Sequence, residues 1–161
     1  MTEADSCVLC RGAAGDAELQ RIQVWEDDLW RLSTTVIGEV AGLSYLEPKR
    51  HIPHMEDLDG PEAQTFGSAL ARTSQALKDA TGAERVYLYV FGGGIAHLHV
   101  HLAPHRPGDA LSTQIVRGEA EVHPLPSGAA MYVSKDFPLL PEAQLRQAAE
   151  QIRQRLASPT A

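Results

Sequence analysis

Alternating apolar and polar positions in the first third of the chain predict three β-strands. Residues 22–40 are rich in β-branched and aromatic side chains and are interrupted by an acidic turn. We therefore expect a hairpin with one strand near Ile22–Trp25 and a second near Leu29–Thr35. A third strand is expected near Leu43–Glu47, and Pro48 should end it because proline cannot donate to a central ladder.

Helical spacing predicts two helices, one central and one at the C-terminal end. Pro61, preceded by Asp59 or Gly60 as a cap, suits the first turn of a helix, and Gly82 suits its C-terminal cap. Apolar positions recur between them at helical spacing, at Phe66, Leu70, Thr73 and Leu77. Residues 141–157 form an amphipathic pattern whose apolar face consists of Leu145, Ala148, Ala149, Ile152 and Leu156.

A second hairpin is predicted after the central helix. The run 85-RVYLYVF-91 reads as a strand, Gly92–Gly94 as a turn, and 97-HLHVHLAPH-105 as a strand of strict alternation. On that strand the apolar side chains share the core face, and three imidazoles share the other. We expect the strand to end near Ala103, before Pro104.

This order of elements predicts an α+β fold with an antiparallel sheet, because strands and helices do not alternate regularly. A chain of 161 residues fits one domain. We expect a core of about 7–110 and a C-terminal extension of 111–161 that contains the last helix. Residues 12–19 are small and turn-prone, and residues 106–128 show no periodicity that assigns an element.

Composition narrows the class of protein. The net charge of −7 argues against nucleic-acid binding through bulk electrostatics, although a small phosphorylated substrate remains compatible with it. No stretch approaches the ~18 apolar residues of a membrane span, so no membrane contact is expected. The first ten residues lack a basic region followed by an apolar one, so we expect no secretory signal and a cytoplasmic location.

Cys7 and Cys10 are spaced as C-x-x-C near the N-terminus. A redox pair of the thioredoxin kind requires a preceding strand, for which there is no room. Half of a zinc site is more natural, with two thiolates in a tight knuckle and two ligands from elsewhere in the chain. The alternative is a pair of surface thiols without a function.

His97, His99 and His101 form a row on one face of the predicted strand. A solvent-facing strand that carries histidines by chance is the alternative, but three in register are hard to explain in that way. Imidazole nitrogens bind metals, exchange protons and attack electrophiles. The row therefore predicts a functional site.

The run 97-HLHVHLA-103 resembles the signature of the histidine triad (HIT) superfamily, and other segments fit in the same order. Cys7-x-x-Cys10 is common in the zinc-binding bacterial members, 46-LEPKRHIPHMEDL-58 resembles the stretch before the central helix, and 102-LAPHRPGD-109 resembles the exit from the triad strand. The resemblance implies a five-stranded antiparallel sheet and a homodimer formed through the central helix and a neighbouring strand. It also implies transfer or hydrolysis of nucleotidyl groups.

By motif position, the resemblance implies that His99 is the nucleophile and that His101 contacts the phosphate. Candidate contacts for the substrate are the amides of Gly92, Gly93 and Gly94 together with His101 and His105. A structural zinc site is implied for Cys7, Cys10, His51 and His97.

The chain also departs from the family pattern. Many members carry a Gln four residues before the first triad His, where this chain has Gly93, and an Asn further upstream, which this chain lacks. His54 and His123 have no assigned role and are expected to be surface loop residues. Two alternatives to the enzyme therefore stay open: a non-catalytic nucleotide-binding protein, and a metalloenzyme of another class with its metal between His99 and His101.

Overall fold

The computed structural model describes residues 3–107, 109 and 119–157. Four helices lie within these residues: α1 (Glu3–Ser6), α2 (Ala13–Glu18), α3 (Gly60–Thr81) and α4 (Glu142–Ala157). Seven strands accompany them: β1 (Arg21–Glu26), β2 (Trp30–Thr35), β3 (Ser44–Pro48), β4 (Arg85–Tyr89), β5 (Val100–His105), β6 (Ala120–Pro124) and β7 (Ala130–Ser134). Short 3₁₀ turns cover Leu9–Arg11 and Met55–Asp57. Within the described part, no helix is both long and apolar enough to cross a membrane.

The main sheet has five strands in the order β1-β2-β3-β5-β4, and every neighbouring pair is antiparallel. The α+β class, the five-stranded sheet and the two long helices are thus confirmed. The acidic turn between β1 and β2 is also explained, because Asp27 accepts hydrogen bonds from the backbone N–H groups of Leu29 and Trp30.

The central helix α3 begins and ends where the sequence predicts. Asp59 is the N-cap, proline lies in the first turn, and Gly82 adopts the left-handed conformation at the C-cap with φ 66°. Only glycine adopts that conformation without a steric cost. The helix buries Thr73 and Leu77 as expected, whereas Phe66 and Leu70 are only partly buried.

One face of the sheet packs against both long helices and forms the core. The strands contribute Trp30, Leu32, Leu46, Val100 and Leu102, which are each at most 2% exposed. All five apolar residues predicted for the last helix are buried. The opposite face of β5 is therefore free to carry polar chemistry.

The strand that follows the histidines differs from the prediction. β5 begins at Val100, not at His97, because the Leu98 N–H donates to the Ile52 carbonyl (2.7 Å) outside the sheet. β5 also continues through Pro104, beyond the predicted end. Pro104 pairs with Val86 of β4. The pairing of β5 with β3 ends at Leu102, so the missing N–H of Pro104 removes no bond to β3. The hairpin connection therefore runs over residues 90–99 and is not a short glycine turn.

Several parts of the fold were not predicted, among them the short helix α1. The turn-prone N-terminal segment contains α2, and the unassigned C-terminal segment contains the β6–β7 hairpin, a separate two-stranded sheet. The sequence of α2 does not indicate a helix because it contains Gly15, a poor helix former. Close packing requires glycine at this position. A Cβ on Gly15 would lie 1.8 Å from the Val8 carbonyl oxygen, so only glycine lets α2 approach the segment between the cysteines.

Gly15→Ala should therefore destabilise the protein by about 1–3 kcal/mol, because the added methyl overlaps a backbone atom that cannot rotate away. Thermal or urea unfolding measures the loss. Gly67→Ala is the matched control, since Gly67 lies in α3 with open space around its Cβ position. That control should be neutral or stabilising by up to about 1 kcal/mol. Equal stability of the two variants would contradict the packing argument.

Candidate functional site

Four potential metal ligands come together from three separate segments. Cys7 and Cys10 lie in the N-terminal segment, His51 follows β3, and His97 precedes β5. The ligand atoms of all four lie within 4.8 Å of one another. The structure thus brings together the four residues that the sequence predicts as zinc ligands.

The spacing of these atoms matches a tetrahedral site. The His97 Nδ1 lies 3.5 Å from the Cys7 Sγ and 3.4 Å from the Cys10 Sγ, and the His51 Nδ1 lies 3.4 Å from the Cys10 Sγ. Zn–S bonds of about 2.3 Å and Zn–N bonds of about 2.05 Å at tetrahedral angles place sulfur and nitrogen about 3.5 Å apart. The donor set and its separations therefore fit a closed four-ligand cation site.

Protonation states favour the same interpretation. The Nε2 of His97 donates to the Pro48 carbonyl (2.9 Å), which leaves Nδ1 with a lone pair directed at the sulfurs. Burial lowers the pKa of His97 to about 4, so the ring is neutral. Burial and the neighbouring Cys7 raise the pKa of Cys10 to about 12. Two adjacent thiolates are thus unfavourable unless a cation neutralises them.

His99 is held in one tautomer by the backbone. Its Nδ1 donates to the carbonyl oxygen of His97 at 2.6 Å, so Nε2 carries the lone pair. Burial is the largest cause that lowers the pKa of His99, and the nearby Arg21 charge lowers it further. The hydrogen bond to the His97 carbonyl opposes both effects. The ring is therefore neutral and can act as a nucleophile or a base.

His101 is surrounded by aromatic rings. Its ring stacks on Tyr89 with 4.6 Å between centroids and 14° between planes. Tyr45 and Phe91 make edge contacts at 5.0 and 5.7 Å, and His99 lies 5.3 Å away. These contacts fix the orientation of the His101 ring beside His99.

Both rings line a cavity of about 180 Å³. The predicted glycines Gly92, Gly93 and Gly94 line it as well, so five of the predicted catalytic or substrate-binding residues share one cavity. Polar lining residues that the sequence analysis missed are Arg21, Thr35, Glu39 and Tyr45. A further part of the wall comes from the C-terminal extension, through Leu125, Ala130, Met131, Val133 and Leu139.

A buried group of four charges underlies this site. Arg31 lies 2.6 Å from Asp16 and 2.7 Å from Glu47, while Arg21 lies 3.8 and 3.7 Å from the same two carboxylates. Burial raises the pKa of Glu47 to about 7, against the opposing effect of both arginines. The Arg21 guanidinium also covers the Tyr45 ring at 4.7 Å. The cluster thus joins α2 to the first three strands, and Arg21 extends it to the cavity wall.

A sequence signal for this cluster exists in retrospect. Arg31 and Glu47 are directly opposite each other on β2 and β3, and opposite charges at such positions stabilise a sheet. Both strands are predicted from the sequence, and only their register is needed to place the two charges opposite each other.

The remaining histidines lie elsewhere. His105 packs on Tyr87 with 5.0 Å between ring centroids, and it is not among the described residues that line the cavity. His54 caps the 3₁₀ turn Met55–Asp57. His123 is half-exposed on β6 and lies 3.6 Å from Glu121. The structure therefore does not bring His105 to the cavity with His99 and His101.

Comparison with known proteins assigns the chain to a family, although no family model matches it. It is 30% identical over 115 residues to an uncharacterized HIT-like protein of Mycobacterium tuberculosis. The aligned region covers 66% of this chain and 76% of the relative. The chain belongs to the HIT family. It is also 28% identical over 155 residues to adenylylsulfatase HINT3 of Arabidopsis thaliana, with 91% of this chain and 77% of that protein covered.

Solved structures confirm the HIT fold. A Zn-bound histidine triad family protein from Mycobacterium smegmatis superposes with a TM-score of 0.65 at 20% identity, covering 96% of this chain and 95% of that one. A histidine triad protein from Bradyrhizobium japonicum gives a TM-score of 0.67 at 18% identity, covering 87% and 93%. The likeness extends over the C-terminal as well as the central part of this HIT chain.

Proposed function

We propose that this HIT protein is a nucleotidyl hydrolase or transferase that uses His99 as its nucleophile. The observation that carries the proposal is the hydrogen bond from His99 Nδ1 to the His97 carbonyl. It leaves a neutral imidazole with its Nε2 lone pair in a cavity that also contains a second histidine and three glycines. A neutral nitrogen fixed in one tautomer is what attack on phosphorus requires.

The chemistry has two displacements. The Nε2 lone pair of His99 forms a bond to the α-phosphorus, and the bond from phosphorus to the leaving group breaks, with its electron pair passing to that group. Water then attacks the phosphoramidate, the P–N bond breaks, and the electron pair returns to Nε2. The products are a nucleoside monophosphate and free enzyme, and an acceptor other than water gives transfer in place of hydrolysis.

His101 and the glycine segment stabilise the charge that develops on the non-bridging oxygens. The ring of His101 is oriented by its aromatic neighbours and lies beside His99. Gly92, Gly93 and Gly94 line the same cavity without side chains, and their backbone N–H groups are the candidate donors. Donors held in advance at the position of developing charge lower the barrier of such displacements.

The first substrate to test is adenylyl sulfate. The relative from Arabidopsis thaliana is named an adenylylsulfatase, and its likeness covers 91% of this chain. With this substrate sulfate would leave with the electron pair, and AMP would be the hydrolysis product. Nucleoside phosphoramidates and dinucleoside polyphosphates share the same α-phosphate and complete the panel. The net charge of −7 disfavours nucleic acid as the substrate.

Zinc is the metal that this donor set suits best. Two thiolates and two imidazoles complete a tetrahedral site with no open position, which makes the site structural. Cys7, Cys10 and His51 would hold the N-terminal segment and the loop after β3 against His97. Free thiols of this kind persist in the cytoplasm, where we place the protein.

We further propose a homodimer through β4 and α3. β4 is an edge strand of the main sheet. Leu88 on β4 and Val90 and Phe91 directly after it are exposed by 47, 38 and 63%. A long apolar edge is an aggregation risk unless another chain covers it.

A non-catalytic nucleotide-binding role is the second candidate. Gly93 replaces the Gln that many family members carry, and no Asn precedes the triad in this chain. A metal bound between His99 and His101 is less favoured, because the metal-ligating cluster found among the described residues contains neither ring.

His99→Asn should reduce turnover of adenylyl sulfate or adenosine phosphoramidate by roughly a thousandfold or more, because the nucleophile is lost. His123→Asn is the matched control and should keep wild-type turnover, since His123 is half-exposed and outside the cavity. Mass spectrometry of the acid-quenched wild type should detect a nucleotidyl group on His99. Unchanged turnover in the His99 variant would refute the mechanism, and nucleotide binding without turnover in the wild type would favour the second candidate.

Purified protein should contain about one zinc ion per chain by elemental analysis, held by four ligands. Cys7→Ser should lose most of this zinc and lower the melting temperature, because the N-terminal segment loses its anchor. Ser6→Ala is the neighbouring control and should keep full zinc. Full occupancy in Cys7→Ser, or a metal-free wild type after growth with zinc, would contradict the assignment.

Sedimentation equilibrium should give twice the chain mass of 17.5 kDa for the wild type. Leu88→Glu should shift the equilibrium to the monomer, because a buried charge at the edge strand has no partner. Val122→Glu changes a similarly exposed side chain on β6 and should leave the dimer intact. A monomeric wild type at micromolar concentration would exclude this dimer.

A further inference from the structure

The C-terminal extension supplies one wall of the cavity beside His99. Leu125 lies at the turn of the β6–β7 hairpin, and Ala130, Met131 and Val133 lie on β7. The cavity lining includes no described residue of β6, and Val122 on that strand is 56% exposed. β7 is thus the inner strand of the hairpin and β6 the outer one.

Two hydrogen bonds among the described residues attach the hairpin and the segment after it to the rest of the molecule. The Ser127 N–H at its turn donates to the Glu18 carboxylate at the end of α2, at 2.8 Å. Beyond the hairpin, the Leu140 N–H donates to the Gly38 carbonyl, also at 2.8 Å. The turn residues Ser127–Ala129 also line a second cavity beside Cys7 and His51. The hairpin therefore covers the site and is held to the N-terminal segment that carries the cysteines.

This wall carries no charged or hydrogen-bonding side chain, whereas the rest of the cavity mixes apolar side chains with polar ones such as Arg21 and His101. The wall's lining side chains are all uncharged and apolar, so they offer nothing to a phosphate, which requires strong donors. Donors come instead from Arg21, His101 and the glycine segment. An apolar wall favours the least polar part of a nucleotide, and Met131 in particular suits the face of a planar ring because thioether sulfur packs well against aromatic groups.

The enclosed volume of the cavity is smaller than the volume of a site that buries a whole nucleotide. Its volume is about 180 Å³. Sites that bury a drug-sized ligand occupy roughly 300–1,000 Å³. A complete nucleotide therefore displaces the hairpin outward or extends beyond the enclosed part.

From these observations we propose that the β6–β7 hairpin selects the nucleoside end of the substrate, with Met131 and Val133 contacting the base while the histidines hold the phosphate. The inference rests on the proposed nucleotide substrate and adds the element that recognises its base. A change in these two side chains alters affinity for the base-bearing part of the ligand and leaves phosphate binding intact.

Calorimetry with AMP and ribose 5-phosphate as probes tests this proposal. Val133 on the inner strand and Val122 on the outer strand form a matched pair of positions. Val133→Ala and Met131→Ala should weaken AMP binding about three- to tenfold, because each removes apolar contact with the base. Binding of ribose 5-phosphate should stay within about twofold of wild type. Val122→Ala, on the outer strand, should leave both affinities unchanged.

Ala130→Leu is a second variant, which adds bulk to the same wall without removing packing from the hairpin. It should exclude AMP more strongly than ribose 5-phosphate, even if the alanine variants loosen the hairpin. AMP affinity within twofold of wild type in all three inner-strand variants would overturn the hairpin's role, as would equal losses for both probes. A wild type that binds neither probe would instead refute the nucleotide function itself.

Discussion

The site depends on how the ring and the backbone of His97 are held. The ring donates from Nε2 to the Pro48 carbonyl and presents Nδ1 to two cysteine sulfurs, so it cannot rotate. The carbonyl of the same residue accepts the hydrogen bond that fixes His99. A cation held by the cysteines would therefore act on His99, the proposed nucleophile, at a distance, by orienting the residue that sets its tautomer. His97 thus supports the site structurally, whereas the chemistry is proposed for His99 and His101 of the same segment.

The charged cluster beneath the cavity has a similar supporting role. Asp16, Arg21, Arg31 and Glu47 are almost completely buried, and Arg21 lines the cavity that contains His99. Breaking a buried pair by removing one partner is costly, because an uncompensated charge remains. The cluster thus holds α2, which carries Glu18, in register with the strands. The N-terminal segment, the sheet and the β6–β7 hairpin are connected through these polar contacts as well as through the core.

Much of the fold could be predicted from periodicity alone. The alternation around the triad placed Val100 and Leu102 in the core, although His97 and His99 precede β5, and α3 and α4 were predicted to within one or two residues at their ends. Residue chemistry and the family resemblance together selected the four potential metal ligands, which the fold brings within 4.8 Å. The start of β5 could not be predicted, because a loop carbonyl at Ile52 competes with β3 for the Leu98 N–H. The Arg31–Glu47 pair can be predicted only when the register of the two strands is considered, and residues 106–128 lack the periodicity that would have indicated β6.

The most direct measurement of the central claim is the tautomeric state of His99, read by long-range ¹⁵N–¹H correlation in protein with labelled histidine. The account predicts that, at neutral pH, His99 carries its proton on Nδ1 and shows the nitrogen shift of an unprotonated Nε2. A proton on Nε2, or a fully charged imidazolium at that pH, would contradict this prediction, because Nε2 would then have no lone pair with which to attack phosphorus.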